Sequence, residues 1–394
     1  MFRRKLSRLD PLGPSAADTM IRALPASGGA ISLGADQAGA MRVLPVGQFA
    51  KNVAVTGSPG SGKTTLSASM ASQLADSGVN VIILEPAKRE YAGLLGAQVR
   101  SLYSYDDTDV NPFAVDPGVR VNTWIERLTM CMADAYAATQ EESGRVYLEG
   151  LVRRLYRING IDADAVATGR ESWPTVQDFL QQVEPYMDQE TCSGGEVSAN
   201  IRGYLTSRGR AMAQCRAIRS AGPGLLARPL TAGGLSVVQL GEFGYGSGRF
   251  LAMVLLMRIV ETARAGGPRP LHTVVITEEA HSLFINDLTG APTMFSHLYT
   301  SALAELRSSG VGFVTVDQRA SLLPSGCLAN SVTKLCFSCS HGDDRAQVKA
   351  ALGLSEEQAM RLSSLYVGQA LFATQGSMGA DVIVCGEGGR PCWG

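Results

Sequence analysis

Residues 57–64 read GSPGSGKT, a full match to the pattern G-x-x-x-x-G-K-[S/T]. Gly57, Gly60 and Gly62 allow consecutive backbone N–H groups to curl around phosphate oxygens. Ser58, Pro59 and Ser61 complete the loop, Lys63 can reach β- and γ-phosphates, and Thr64 offers its hydroxyl to Mg²⁺. Thr65 begins a stretch of helical apolar spacing, so a helix N-terminus faces the bound anion. The chemistry implied is the binding of a nucleoside triphosphate, ATP with Mg²⁺.

A second cluster stands far down the chain. The apolar run LHTVVIT ends at Thr277 and is followed by Glu278-Glu279-Ala280-His281. A carboxylate at the tip of a buried strand can hold the magnesium–water shell, and an adjacent one can polarise an attacking water. Glu278 is assigned to magnesium and Glu279 to the water. The run 311–316 ends in Asp317-Gln318-Arg319, where Gln318 suits a γ-phosphate sensor or a plain loop amide. Arg307, in the last turn of the preceding helical stretch, either complements that helix's dipole or reaches a neighbouring subunit's nucleotide. About 210 residues between Thr64 and Glu278 are more than a compact nucleotide kinase needs.

These residues require a scaffold of strands ending at one edge. Apolar runs at 51–56, 79–84, 235–240, 271–277, 311–316 and 332–337 alternate with helical patterns. Near-continuous apolar strands argue a parallel sheet covered on both faces, an α/β fold. Two short strands are expected within 30–46, and 121–220 reads as helical. The division expected is an N-terminal arm (1–29), a core segment with the phosphate loop (30–120), a helical insertion (121–228) and a second core segment (229–394).

The chain has 394 residues, 45% hydrophobic and 18% charged, with net charge −1, which supports a sizeable core and excludes a globally basic nucleic-acid binder. No run of about 18 apolar residues occurs, so no membrane span is expected and the cytoplasm is the default. Arg3 and Arg4 precede no hydrophobic segment that would make them a secretion signal. Segment 200–240 carries Arg202, Arg208, Arg210, Arg216, Arg219 and Arg228 without an acidic residue. Such a stretch suits contacts to a DNA backbone without sequence preference, or a solvated or inter-subunit face. Arg153, Arg154 and Arg157 add a shorter cluster. Cys336 and Cys339, with Cys385 and Cys392 near the C-terminus, raise a zinc site. Strand residues three apart point to opposite faces, so buried thiols are the better reading.

The ordered set GSPGSGKT, ITEEAH, ELRSSGVGFVTVDQRASLLP and LANSVTKLCFSCSHGDDRAQVKAALGL…LYVGQALFA resembles the HerA/FtsK superfamily of ring-forming ATPases. HerA-type DNA translocases and type IV secretion ATPases are the most similar members. EPAKREYAGLL followed by NPFAVDPG also resembles the region after the phosphate loop in these proteins. The resemblance, over roughly 30–385, implies a RecA-like core that is usually hexameric and couples ATP hydrolysis to moving DNA or another polymer through a pore. It implies Lys63 and Thr64 as nucleotide ligands, Glu278 and Glu279 as the Walker B pair, Gln318 as sensor and Arg307 as the trans-acting arginine. A nuclease or other effector is a possible partner. An ATP-gated assembly or defence component that switches a partner is the competing class. The segment before the phosphate loop is too short for the β-barrel of HerA-type proteins, so docking through such a barrel is not expected.

Overall fold

Eleven strands form one sheet in the computed structural model, which describes residues 29–386 save 137–141, 191–194, 220, 223, 225–232, 286–289, 376 and 378. The arm expected over 1–29 lies almost wholly outside the described residues, as does Cys392. Ten elements come first in the chain: β1 (Ala30–Asp36), β2 (Met41–Pro45), β3 (Val53–Thr56), α1 (Lys63–Asp76), β4 (Asn80–Glu85), α2 (Tyr91–Leu95), β5 (Val99–Tyr103), α3 (Val121–Ala135), α4 (Glu142–Ile158) and α5 (Val176–Met187). There follow α6 (Gly195–Gln214), β6 (Leu235–Gln239), α7 (Tyr245–Gly266), β7 (Thr273–Thr277), α8 (His281–Phe284), α9 (Met294–Glu305) and β8 (Val311–Asp317). The chain closes with α10 (Ser325–Ala329), β9 (Thr333–Phe337), α11 (Gly342–Leu352), α12 (Glu356–Arg361), β10 (Gln369–Ala373) and β11 (Asp381–Cys385).

The strand order is β2-β1-β11-β10-β9-β3-β8-β7-β4-β6-β5. From β9 to β5 every pairing is parallel, and from β10 to β2 every pairing is antiparallel. The central parallel strands β3, β4, β6, β7 and β8 are buried along their whole length, as continuous apolar runs require when helices cover both faces. The two strands expected within 30–46 exist. They extend the antiparallel edge through β11 instead of forming a barrel.

One face of the sheet packs on α1, whose Leu66, Met70 and Leu74 fall on one stripe, and Ile31 and Leu33 of β1 and Leu44 of β2 join the same cluster. The other face packs on α7, α9 and the helical block α3–α6. Sheet residues such as Ile82, Val238 and Phe313 share one continuous apolar cluster with Trp124, Leu151 and Phe179 of that block. Arg258, the charge that interrupts the apolar pattern of α7, is fully buried. It pairs with Asp116 at 2.7 Å and donates to the carbonyls of Asn111 (3.1 Å) and Ala114 (2.9 Å). The NPFAVD segment is thereby tied to the helix that floors the block.

Cys336 and Cys339 do not diverge, because β9 ends at Phe337 and the period of two ends with it. Both thiols pack into one small apolar cluster, and burial pushes their pKa values up to about 11 and about 12. Cys385 lies in the cluster on the opposite face of the sheet. Among the described residues none of these cysteines joins a metal-capable group.

Candidate nucleotide site

Parallel register brings the chemistry to one edge. Thr56 of β3 lies opposite Asp317 of β8, and Thr277 of β7 lies opposite Thr315. The phosphate loop, Gln318 and the Glu278–Glu279 pair therefore leave three neighbouring strands at the same end. With strands about 4.8 Å apart, β8 sets the tips of β3 and β7 roughly 10 Å from each other, a gap that the side chains of the loop and the carboxylates can close.

The loop fits a phosphate cradle. Gly57 has φ +148°, and a Cβ there would meet Phe337 Cβ at 2.6 Å, so only glycine lets the chain leave β3 against β9. Gly62 caps α1, whose first N–H groups point into the cradle. Lys63 folds over the loop, its Nζ donating to the Ser58 carbonyl at 3.0 Å. Burial lowers its pKa, while Glu278, Glu279 and Asp317 oppose that shift. Ser61 Oγ is buried and has no hydrogen-bond partner among the described residues, an orphan that a phosphate oxygen would satisfy.

Glu278 and Glu279 occupy distinct surroundings. The Thr64 hydroxyl donates to Glu278 Oε1 at 3.3 Å, and the Tyr91 phenol donates to Oε2 at 2.6 Å. Burial pushes the Glu278 carboxyl up to about 7, with the Glu279 charge adding to the rise and the Tyr91 bond opposing it. A hydroxyl and a carboxylate side by side beside the phosphate cradle are the donor set that Mg²⁺ takes beside phosphates. Glu279 instead accepts from Gln318 Nε2 and lies 3.6 Å from Lys88 Nζ. Its backbone has φ +45°, a left-handed conformation that a non-glycine residue adopts only under constraint.

That constraint has a visible source in Asp317. Its fully buried carboxylate accepts from the His281 N–H (2.6 Å), the Arg319 N–H (2.7 Å) and His281 Nδ1 (3.0 Å). These bonds lock the turn after Glu279 onto the tip of β8. The bond to Asp317 also raises the His281 pKa. Ligand atoms of Glu279, His281 and Asp317 lie within 4.8 Å of one another, a grouping already accounted for by this clamp.

Lys88, Tyr91, His281 and Asp317 are the site residues that spacing alone did not single out. Lys88 and Tyr91 lie in EPAKREY directly after β4, next to β7 in the sheet, so position after a core strand was their available signal.

Arg307 is exposed in the short 3₁₀ turn Leu306–Ser309 before β8, at the opposite end of that strand from Gln318. Its guanidinium has no partner among the described residues, and it does not share an edge with its own chain's phosphate loop. The arginines of 200–240 do not share one environment. Arg208 is buried against the Tyr204 ring, and Arg202 is engaged by Glu184 and Asp188. Arg210, Arg216 and Arg219 are exposed, with Arg216 pairing to Asp106 at 3.2 Å.

No family model matches the chain, and no curated protein matches it. Solved structures do. VirB4 of Thermoanaerobacter pseudethanolicus superposes with a TM-score of 0.67 at 18% identity, covering 92% of this chain and 97% of that one. The bacterial conjugative coupling protein TrwB superposes at 0.66 with 12% identity, covering 92% and 91%. The chain has the RecA-like α/β fold of these structures. TrwB in complex with ADP and Mg²⁺ gives 0.65 at 12% identity over 96% and 95% of the two chains. Among the described residues no helix is long and apolar enough to cross a membrane.

Proposed function

We propose that the protein hydrolyses ATP with Mg²⁺ and uses the energy to move DNA, or another polymer, through a ring of its own copies. The observation that carries the ATPase reading is the division of labour between adjacent carboxylates. Glu278 faces Thr64, where a metal ion on the phosphates would sit, and Glu279 faces Gln318, where an attacking water would sit. Magnesium supplies neutralisation of phosphate charge when bound. Lys63 and the loop N–H groups orient the phosphates, Gln318 aligns the water, and Glu279 accepts its proton. Arg307, far from its own loop, fits a role in the neighbouring subunit's site, which is why a ring is proposed.

DNA as the polymer rests on Arg210, Arg216 and Arg219, whose exposure suits backbone contacts. A type IV secretion or conjugation ATPase is the second reading, supported by near-complete superposition on VirB4 and TrwB. Steady-state ATPase with and without duplex DNA, with oligomeric mass measured in parallel, tests the proposal. A ring whose turnover rises severalfold with DNA supports it. A monomer indifferent to DNA rejects the motor.

A further inference from the structure

The phosphate loop provides for phosphates, but nothing in GSPGSGKT provides for a base. Three of the four most exposed large apolar side chains among the described residues fall within 360–367: Met360 (69%), Tyr366 (70%) and Val367 (59%). Exposed apolar groups gathered in one short segment mark a contact surface. The segment leading into β10 is seated on the nucleotide site itself. The Gly368 N–H donates to the Ser61 carbonyl inside the phosphate loop at 2.9 Å.

The turn that displays Tyr366 and Val367 is held on several sides. The Gln369 N–H donates to the Tyr366 carbonyl at 2.9 Å, closing a four-residue turn. Gly368 occupies the third position with φ +80°, the conformation that a type II turn reserves for glycine. The Gly368 carbonyl accepts from the Cys385 N–H of β11 at 2.8 Å, and the Tyr366 N–H donates to Gln369 Oε1 at 3.1 Å. An exposed tyrosine thus stands two residues from a direct bond to the phosphate cradle, on a turn that β10 and β11 hold in place. Such a platform costs little conformational entropy when a ligand arrives.

We propose that Tyr366, with Val367 beside it, is the nucleobase platform of the site, stacking the base of a purine nucleoside triphosphate whose phosphates lie in the loop. This rests on the nucleotide reading above and extends it to the base. The chemistry predicts the specificity. Every base has a π-face, and a ring with a neighbouring valine offers no pattern of donors and acceptors to tell adenine from guanine. The platform therefore accepts ATP and GTP with similar affinity.

The test compares the full chain, Tyr366→Ala and Tyr366→Phe for equilibrium binding of ATP, GTP and inorganic tripolyphosphate, each with Mg²⁺. Tripolyphosphate carries the phosphate chain without a base. The expected result is that Tyr366→Ala weakens ATP and GTP by on the order of tenfold, keeps tripolyphosphate binding, and is rescued by Tyr366→Phe. Unchanged ATP affinity in Tyr366→Ala overturns the inference, as does parallel loss of tripolyphosphate. Loss of ATP affinity in step with loss of oligomer assigns the tyrosine to a subunit contact and also overturns it. Wild-type protein that binds tripolyphosphate as tightly as ATP removes the platform and leaves the cradle standing. Wild-type protein that binds neither removes both.

Discussion

The phenol of Tyr91, at the first residue of α2, donates a 2.6 Å hydrogen bond to Oε2 of Glu278 at the tip of β7, and both side chains are buried. Glu85 supports the donor by accepting the Tyr91 N–H at 3.0 Å. The carboxylate that faces the metal position is therefore oriented by a residue from another strand's exit loop. Tyr91→Phe removes the donor and keeps the ring. Since that bond lowers the Glu278 pKa, its loss raises the pKa further and leaves less carboxylate at neutral pH. The variant should need more Mg²⁺ for half-maximal turnover, most clearly below pH 7. A magnesium titration identical to wild type would show that Tyr91 is packing only.

The same carboxyl predicts a pH dependence of stability. Its folded pKa of about 7 stands above the ordinary glutamate value of 4.5, so the folded state binds the proton more tightly. The stabilisation is complete below about pH 4.5 and is lost as pH rises through about 7, amounting to roughly 3 kcal/mol for this one group. Glu278→Gln does not titrate. Denaturant melts of metal-free protein should therefore show wild type losing ground to Glu278→Gln between pH 4.5 and 7. A constant difference across that window would place the carboxyl's pKa near its ordinary value.

Glu279 should trade stability against chemistry. Its φ of +45° favours glycine, and burial, with charge repulsion from Asp317, raises its pKa. Glu279→Gly should raise stability by about 0.5–1 kcal/mol while turnover falls about 10²- to 10⁴-fold. Glu279→Gln should bind ATP and fail to turn it over. Melting temperature and single-turnover hydrolysis, measured on the same preparations, separate the two effects. A glycine variant that is both slower and less stable would mean that the contacts of Glu279 to Lys88 and Gln318 outweigh the strain.

Arg258 carries a prediction about the helical block. Its guanidinium is fully buried with Asp116 and two carbonyls, so Arg258→Ala leaves a buried carboxylate uncompensated and should cost about 3–5 kcal/mol. Asp116→Asn in the same chain should recover part of the loss, because the orphaned charge is then gone. Simple additivity of the two substitutions in urea melts would deny the pairing its role.

What could be read from the sequence divides by the range of the interaction. Lys63 and Thr64 declare themselves because the loop's chemistry is local, and Glu278 and Glu279 because they end an apolar strand. The buried helix around Arg258 was legible from its apolar run, but its partner Asp116 was not, since 142 residues separate them. Tyr91, Lys88 and Asp317 needed the strand order, which sets β4 and β8 on either side of β7. The six arginines of 200–240 form a uniform run in sequence, whereas helix geometry turns Arg208 inward and Arg210 outward. A charge run says nothing about which of its members reach solvent.

Arg307 supplies the most direct test of the ring. The seven-residue strand β8 separates it from Gln318, a span of about 20 Å at strand rise. An arginine that stabilises transferring phosphate must touch it, so Arg307 can act only on a neighbour's nucleotide. Arg307→Ala alone should lower turnover about 10³-fold or more while ATP still binds. Mixing Arg307→Ala with Glu279→Gln should then restore activity that neither possesses. In mixed rings, some interfaces join the intact Glu279 of one variant to the intact Arg307 of the other. Activity in the mixture that stays at the sum of the separate variants, in rings shown to exchange subunits, would remove Arg307 from the reaction.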